Sequence, residues 1–231
     1  MESRIFLFGE RSVTVFLPET ETKSVVWSVM HGDEGKKVFS LLPEPKPALC
    51  CILADWNRDL SPWKADAVFG TENFSGGADN FLTELIQNII PKVESELNIT
   101  NCKRFLAGYS LAGLFSVYAF YKTDVFSAGA SLSGSLWFDG FTDFMKENPL
   151  CRKPDAFYFS LGDREKKAKN PRMRKVETAT AEAAEIFRSL GVPTEFSLVP
   201  GGHFDNVERR IADGITKLVM TTPKRGGMKA P

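Results

Sequence analysis

The sequence predicts an α/β fold, with a mainly parallel central sheet covered by helices on both faces and an antiparallel hairpin at the N-terminus. Three observations predict it. From residue 48 onward, short apolar runs alternate with longer segments of helical spacing, the pattern of parallel strands joined by crossover helices. The run at 48–54, Ala-Leu-Cys-Cys-Ile-Leu-Ala, is apolar throughout, as a strand buried on both faces must be. Around residue 108, an apolar run passes within three residues, Gly108-Tyr109-Ser110, into a long apolar segment of helical length.

Each element follows in order. Residues 4–8 and 12–17 are apolar-rich with Gly9-Glu10 between them, which predicts the hairpin. Residues 25–30 are a third strand and 48–54 a fourth. Residues 55–78 mix Gly, Pro, Asn and Trp without periodicity and are expected to be a long loop, of the kind that carries function. Asp79 is placed to cap a helix running to Leu97, because Phe81, Leu82, Leu85, Ile86, Ile89, Ile90 and Val93 repeat at helical spacing; Pro91 should kink it. A strand at 105–107 and a helix at 111–121 flank Ser110. Strands are expected at 126–132 and at 155–161, the latter closed by Gly162. A long helix at 171–190 ends at Gly191. The last strand is 194–199 and the last helix, amphipathic, is 206–220. Residues 1–220 are expected to form one domain, since no linker or repeat interrupts them, and 221–231 a disordered tail.

Composition narrows the function. The chain has 231 residues, 43% hydrophobic and 25% charged, which is ordinary for a soluble globular protein. Lys plus Arg equals Asp plus Glu at 29 each, so the charge balance argues against nucleic acid or an anionic membrane as partner. No apolar run approaches the roughly 20 residues that span a bilayer, and the first ten residues lack a secretory signal, so a cytoplasmic location is expected. The 19 Phe residues predict a large apolar core. The four cysteines form no Cys-x-x-Cys pair and no Cys/His cluster, which predicts free thiols, no metal and no cofactor.

Chemistry centres on Ser110. A strand that turns this sharply into a helix lifts the central side chain out of the sheet. It also aims the first N–H groups of the helix at whatever that side chain attacks. A serine hydroxyl needs a base, and imidazole is the usual one. His203 lies in Pro200-Gly201-Gly202-His203-Phe204, directly after the last expected strand. Loops that follow parallel strands gather at one edge of the sheet, so Ser110 and His203 can meet there. The order serine, acid, histidine is that of the α/β-hydrolases, which makes the α/β-hydrolase fold the specific expectation. The acid should follow an intervening strand; both Asp163 and Glu165 stand after the 155–161 strand, and spacing does not choose between them. An oxyanion needs two N–H donors. Leu111, next after the serine, is one candidate; the backbone of Asp33, in the Met30-His31-Gly32-Asp33 loop after the third strand, is the other.

The chain resembles the putative-esterase family of α/β-hydrolases, the group of the enterobactin esterases, feruloyl and acetyl esterases, S-formylglutathione hydrolase and the mycolyltransferases. Asn57-Arg58-Asp59-Leu60-Ser61-Pro62 looks like the Arg-x-x-Asp/Glu-Leu/Tyr-Thr/Ser-Pro segment of its siderophore-esterase branch. Gly76-Gly77-Ala78-Asp79-Asn80-Phe81-Leu82 looks like the branch's helix entry, Gly108 to Phe115 its nucleophile elbow, and Gly201-Gly202-His203 its histidine loop. The four stretches fall in the family's order. The resemblance implies Ser110 as nucleophile, His203 as base, and Glu165 rather than Asp163 as acid, because the family places its acid three residues after a strand-ending glycine. Ser131-Leu132-Ser133-Gly134-Ser135-Leu136-Trp137 is similar to its Ser-x-Ser-x-x-Trp stretch, which implies Trp137 as a substrate-binding residue; Arg58 is implied as another. Two positions depart from the pattern: Ala112 stands where the elbow usually has glycine, and His31 precedes Gly32 where the siderophore branch usually has Asp.

The expected reaction is cleavage of a small-molecule carboxylic ester through an acyl-enzyme. Transfer of the acyl group to an alcohol other than water uses the same intermediate and is the alternative. A non-catalytic binding module on a hydrolase scaffold is the third reading, motivated by Ala112 and His31.

Overall fold

Residues 2–68 and 70–222 are described by the computed structural model. The chain opens with β1 (Glu2–Phe8) and β2 (Arg11–Leu17), paired antiparallel as the apolar runs around Gly9-Glu10 predict. β2 also pairs antiparallel with β4 (Ala48–Leu53). Every pairing beyond that in the main sheet is parallel. β3 (Ser24–Val29) lies between β4 and β7 (Lys103–Tyr109), and β8 (Ala128–Leu132), β9 (Ala156–Gly162) and β10 (Thr194–Val199) follow. The order is β1-β2-β4-β3-β7-β8-β9-β10.

Both faces of the sheet are covered, and this explains why its central strands lack polar alternation. In β7, Phe105, Ala107 and Tyr109 pack to one side while Leu106 packs to the other. On the first side lie α1 (Gly32–Leu41), through Val38 and Phe39, and α8 (Val207–Thr221), through Ile211, Ile215 and Leu218. On the second lie α3 (Ala78–Glu84), α4 (Ile90–Leu97), α5 (Leu111–Lys122) and α7 (Val176–Ser189). α5 is buried at every position from Leu111 to Tyr121, which is why its sequence is apolar all round rather than striped. It is anchored at the centre, and its N-terminus therefore has a fixed direction.

Several expectations are corrected. α1 is a helix that periodicity missed: Gly32 and Gly35 lower its propensity, and packing of Val38 and Phe39 on the sheet supplies what propensity does not. α6 (Phe141–Glu147) was likewise unforeseen, a two-turn helix held by buried Phe141 and Met145. The expected loop at 55–78 contains α2 (Trp56–Asp59) and a two-stranded ladder of β5 (Lys64–Ala65) with β6 (Phe74–Ser75). Asp79 does not cap its helix. Gly77 is the cap residue, and the Asp79 carboxylate instead accepts from the Tyr118 hydroxyl at 2.8 Å and pairs with Lys122 at 3.5 Å, tying α3 to α5. Ahead of Pro91 the helix widens into a π-helical turn, Leu85–Ile89, in which the Ile90 N–H reaches Leu85 O. Pro91 has no N–H to continue the ordinary pattern, and the wider turn absorbs the mismatch. Thr221 ends α8; the rest of the expected tail, from 223 on, lies outside the described residues. No helix among the described residues is long and apolar enough to cross a membrane.

Candidate active site

The turn between β7 and α5 takes the form its three residues allow. Ser110 has φ 57° and ψ −123°, a strained region for a residue with a side chain. The surroundings enforce it. The Ser110 N–H donates to Leu132 O at 3.1 Å, and Ser110 O accepts from the N–H groups of Gly113, Leu114 and Ser135 at 3.0, 3.2 and 2.9 Å. A turn this tight brings backbone against backbone. A Cβ on Gly108 would stand 2.1 Å from Ala112 O, and one on Gly113 would stand 2.8 Å from the Gly134 Cα. The glycines the elbow requires are therefore 108 and 113, and the methyl of Ala112 is housed in the core, 1% exposed.

The histidine arrives on the loop between β10 and α8. Asp163 Oδ1 accepts from the Gly201 N–H at 3.0 Å, and Asp205 Oδ2 accepts from the Gly202 N–H at 2.8 Å while pairing with Arg164 at 2.7 Å. The Tyr109 hydroxyl donates to His203 O at 2.7 Å. So the strand that carries the serine also grips the loop that carries the histidine.

Three of the expected site residues meet. His203 Nε2 lies 3.0 Å from Ser110 Oγ, and Nδ1 lies 2.8 Å from Glu165 Oε2. Glu165 Oε1 accepts from the Ser133 hydroxyl at 2.7 Å, the Gly162 N–H at 2.8 Å and Arg210 Nη2 at 2.9 Å. Burial alone would push this carboxyl up. The hydrogen bond and charge of His203, with the bonds from Arg210 and Ser133, outweigh it and hold the carboxyl at about 2, against an ordinary 4.5. An ionised carboxylate can only accept. Nδ1 of His203 must therefore carry the proton in that contact, and in the neutral form of the ring Nε2 is left to accept from the Ser110 hydroxyl.

The remaining expected residues are placed as follows. Leu111 begins α5, and no described residue accepts from its N–H. Asp33 sits in the first turn of α1, at the same sheet edge; β3 is the parallel neighbour of β7, with Trp27 level with Leu106. Asp163 braces the histidine loop and makes no contact with the imidazole. Trp137 lines a cavity of about 420 Å³ that also takes in His203, Glu165 and Ser133. Arg58 is not on that wall: it makes a two-point contact with Asp59, at 2.8 and 3.3 Å. Asp59 is in turn paired with Arg11 at 2.8 Å. Its neighbours explain why two resemblance-bearing stretches occur together. The Ser61 hydroxyl donates to Asn57 O and accepts from the Gly76 N–H, and the Gly77 N–H reaches Arg58 O, so 57–62 and 76–78 form one braced unit. Among the described residues no group of three or more His, Cys, Asp or Glu is placed to hold a metal ion.

Sequence reasoning missed three residues around Glu165. Ser133, at φ 47°, lies in the Ser-x-Ser-x-x-Trp stretch, and its hydroxyl bonds both Glu165 and Arg210. Tyr109 is inside the elbow itself. Arg210 is buried in α8 and donates to the Tyr109 hydroxyl and to Gly202 O, both at 2.8 Å. The one signal for it was an arginine four residues before Gly214, on the apolar face of an amphipathic helix.

Comparison with known proteins bears on the family and the fold. The family described as "Putative esterase" matches residues 54–205. No protein of curated function matches the chain in sequence. Similar solved structures include the siderophore hydrolase EstA from Aspergillus nidulans, with a TM-score of 0.72 at 17% identity over 95% of this chain and 93% of that one. An IroE-like serine hydrolase from Shewanella oneidensis has a TM-score of 0.74 at 19% identity, over 94% of this chain and 79% of that one. The enterobactin and salmochelin hydrolase IroE has a TM-score of 0.67 at 20% identity, over 96% and 95%. At such identities these likenesses concern the fold. The family match covers most of the chain, from the loop after β4 to the histidine loop, and the chain belongs to the putative esterase family: it is a carboxylic ester hydrolase of α/β-hydrolase fold.

Proposed function

We propose that the protein cleaves a carboxylic ester through an acyl-enzyme formed on Ser110. The observation that carries this reading is one imidazole bridging a hydroxyl at 3.0 Å and a buried, ionised carboxylate at 2.8 Å. Ser110 Oγ attacks the ester carbonyl carbon while its proton passes to His203 Nε2. Glu165 keeps the Nδ1 proton in place and stabilises the imidazolium that forms. The negative charge on the carbonyl oxygen is received by the N–H of Leu111, at the positive end of α5, and by that of Asp33 in α1. The imidazolium then gives its proton to the leaving alkoxide. Water, deprotonated by the same ring, attacks the acyl-serine and releases the acid. Trp137 offers an apolar face to the group beside the ester. Arg58, engaged by Asp59, braces the loop and does not touch the substrate. The same reading takes residues 1–220 as one domain, because the sheet draws strands from both ends of the chain and α8 packs against α1.

The test is Ser110→Ala with p-nitrophenyl acetate and a fluorophosphonate probe. The variant should lose at least about 10³-fold in kcat and take up no label, while the parent gains one covalent adduct. Equal cleavage by variant and parent would sink the assignment. The siderophore hydrolases among the similar structures motivate a substrate panel of acetyl, feruloyl, thioester and siderophore esters.

A further inference from the structure

The cavity beside His203 carries a local surplus of positive charge in a chain that is neutral overall. Residues 164–175 hold seven cations and one acid, Glu165. Four of the cations are engaged. Arg164 pairs with Asp205 at 2.7 Å, Lys166 with Glu177 at 3.1 Å and Arg172 with Asp139 at 2.9 Å. Arg174 donates to Ala168 O and Lys169 O. Glu165 is itself taken by His203 and Arg210. The nearby acids are thus already committed. Lys167 and Lys169 have no side-chain partner among the described residues, and both line the cavity.

The rest of the wall is of a different kind. Trp137, Met173 and Val176 are apolar, and the Arg172 guanidinium, paired with Asp139, lies 5.7 Å from the centre of the Trp137 ring. A concave wall with low-dielectric neighbours focuses the field of its charges on whatever enters. We propose that Lys167 and Lys169 bind an oxyanion, a carboxylate in the first instance, carried by the substrate at a distance from its ester bond. The intervening apolar part lies along Trp137, Met173 and Val176. The inference rests on the esterase reading above and names the class of ester that the site prefers.

Two matched pairs of esters test it. In the first, mono-p-nitrophenyl glutarate carries a carboxylate on the acyl side and p-nitrophenyl valerate does not. In the second, 4-acetoxybenzoate carries one on the leaving group and 4-acetoxybenzamide does not. In at least one pair, kcat/KM should favour the anion by about ten-fold, chiefly through KM, and the preference should fade in 0.5 M salt. Lys167→Glu/Lys169→Glu should reverse the anionic-to-neutral ratio. Lys175→Glu, the same charge change on a lysine of that segment outside the cavity, should leave the ratio as it was. Equal kcat/KM within both pairs, or a preference that survives the double variant, overturns the proposal. If the parent cleaves none of the four esters, the esterase reading has failed, and binding then decides the anion site separately. Titration of the parent with 4-acetamidobenzoate and 4-acetamidobenzamide supports the site if the acid binds about ten-fold tighter. Equal affinity, or no binding, overturns it.

Discussion

Arg210 Nη2 donates to Glu165 Oε1 at 2.9 Å, and the two side chains are only 7% and 4% exposed. Three anchors hold this buried pair from different parts of the chain: Ser133 after β8, Tyr109 at the end of β7, and the Gly202 carbonyl in the histidine loop. The guanidinium thus joins the acid, the elbow strand and the base-bearing loop in one network. Removing it leaves a buried carboxylate short of its cation. Arg210→Met should cost about 3–5 kcal/mol in urea unfolding. With the carboxylate and loop less well placed, kcat should fall about 10–100-fold. Arg210→Lys should recover part of the stability and less of the kcat, since an ammonium keeps the charge but cannot span the same partners.

The Glu165 carboxyl makes stability depend on pH in a stated direction. Its value in the folded chain is about 2 and its ordinary value 4.5, so the folded state favours the ionised form. That contribution is fully present above pH 4.5 and is lost as pH falls toward 2. The shift corresponds to about 3 kcal/mol. The stability difference between the parent and Glu165→Gln, measured by urea unfolding at pH 7 and again at pH 3, should shrink on acidification. A difference that stays constant would contradict it.

Glu165 and Asp163 should separate by activity. Glu165→Gln presents an amide to Nδ1 and can support the wrong tautomer, so kcat should drop by about 10⁴. Asp163→Ala removes only a loop brace on the Gly201 N–H and should cost less than about ten-fold. Steady-state rates on one p-nitrophenyl ester decide it.

The elbow stores strain at Ser110. Ser110→Gly should be inactive yet more stable than the parent by about 1 kcal/mol. It relieves about 1–3 kcal/mol of backbone strain and gives back part of that as unfolded-state entropy. Thermal unfolding of the two proteins is the measurement, and a less stable glycine variant would show that the turn is not strained.

Ala112 and Gly113 offer a contrast. Ala112→Gly should keep kcat/KM within two-fold, because the methyl is buried in the core, 1% exposed, and carries no group the proposed chemistry uses. Gly113→Ala pushes a Cβ against the Gly134 backbone and should destabilise by about 1–3 kcal/mol or more. Comparable losses in both would return the elbow's close approach to position 112.

Much of the fold was legible because it is written in local pattern. Apolar runs marked the main-sheet strands, Gly191 marked the end of α7, and the three residues between β7 and α5 left room only for a sharp turn. The family resemblance added a ranking of the acids, Glu165 over Asp163, from its spacing after a strand-ending glycine. Elements whose stability comes from distant packing were missed: α1 with its two glycines, and two-turn α6. The two motifs 57–62 and 76–78, which carry part of the family resemblance, hold each other in the structure.

The sequence by itself determined the serine turn, the histidine loop after the last strand and two acids near enough to serve. These follow from which residues are neighbours along the chain. Only the tertiary structure decided which carboxylate faces the imidazole and what keeps it ionised. Ser133, Arg210 and Tyr109 reach the site across separations of 32, 45 and 101 residues in their hydrogen bonds to Glu165 and to each other. Contacts of that span are set by how strands order in a sheet and where helices dock on it, and no local periodicity records them.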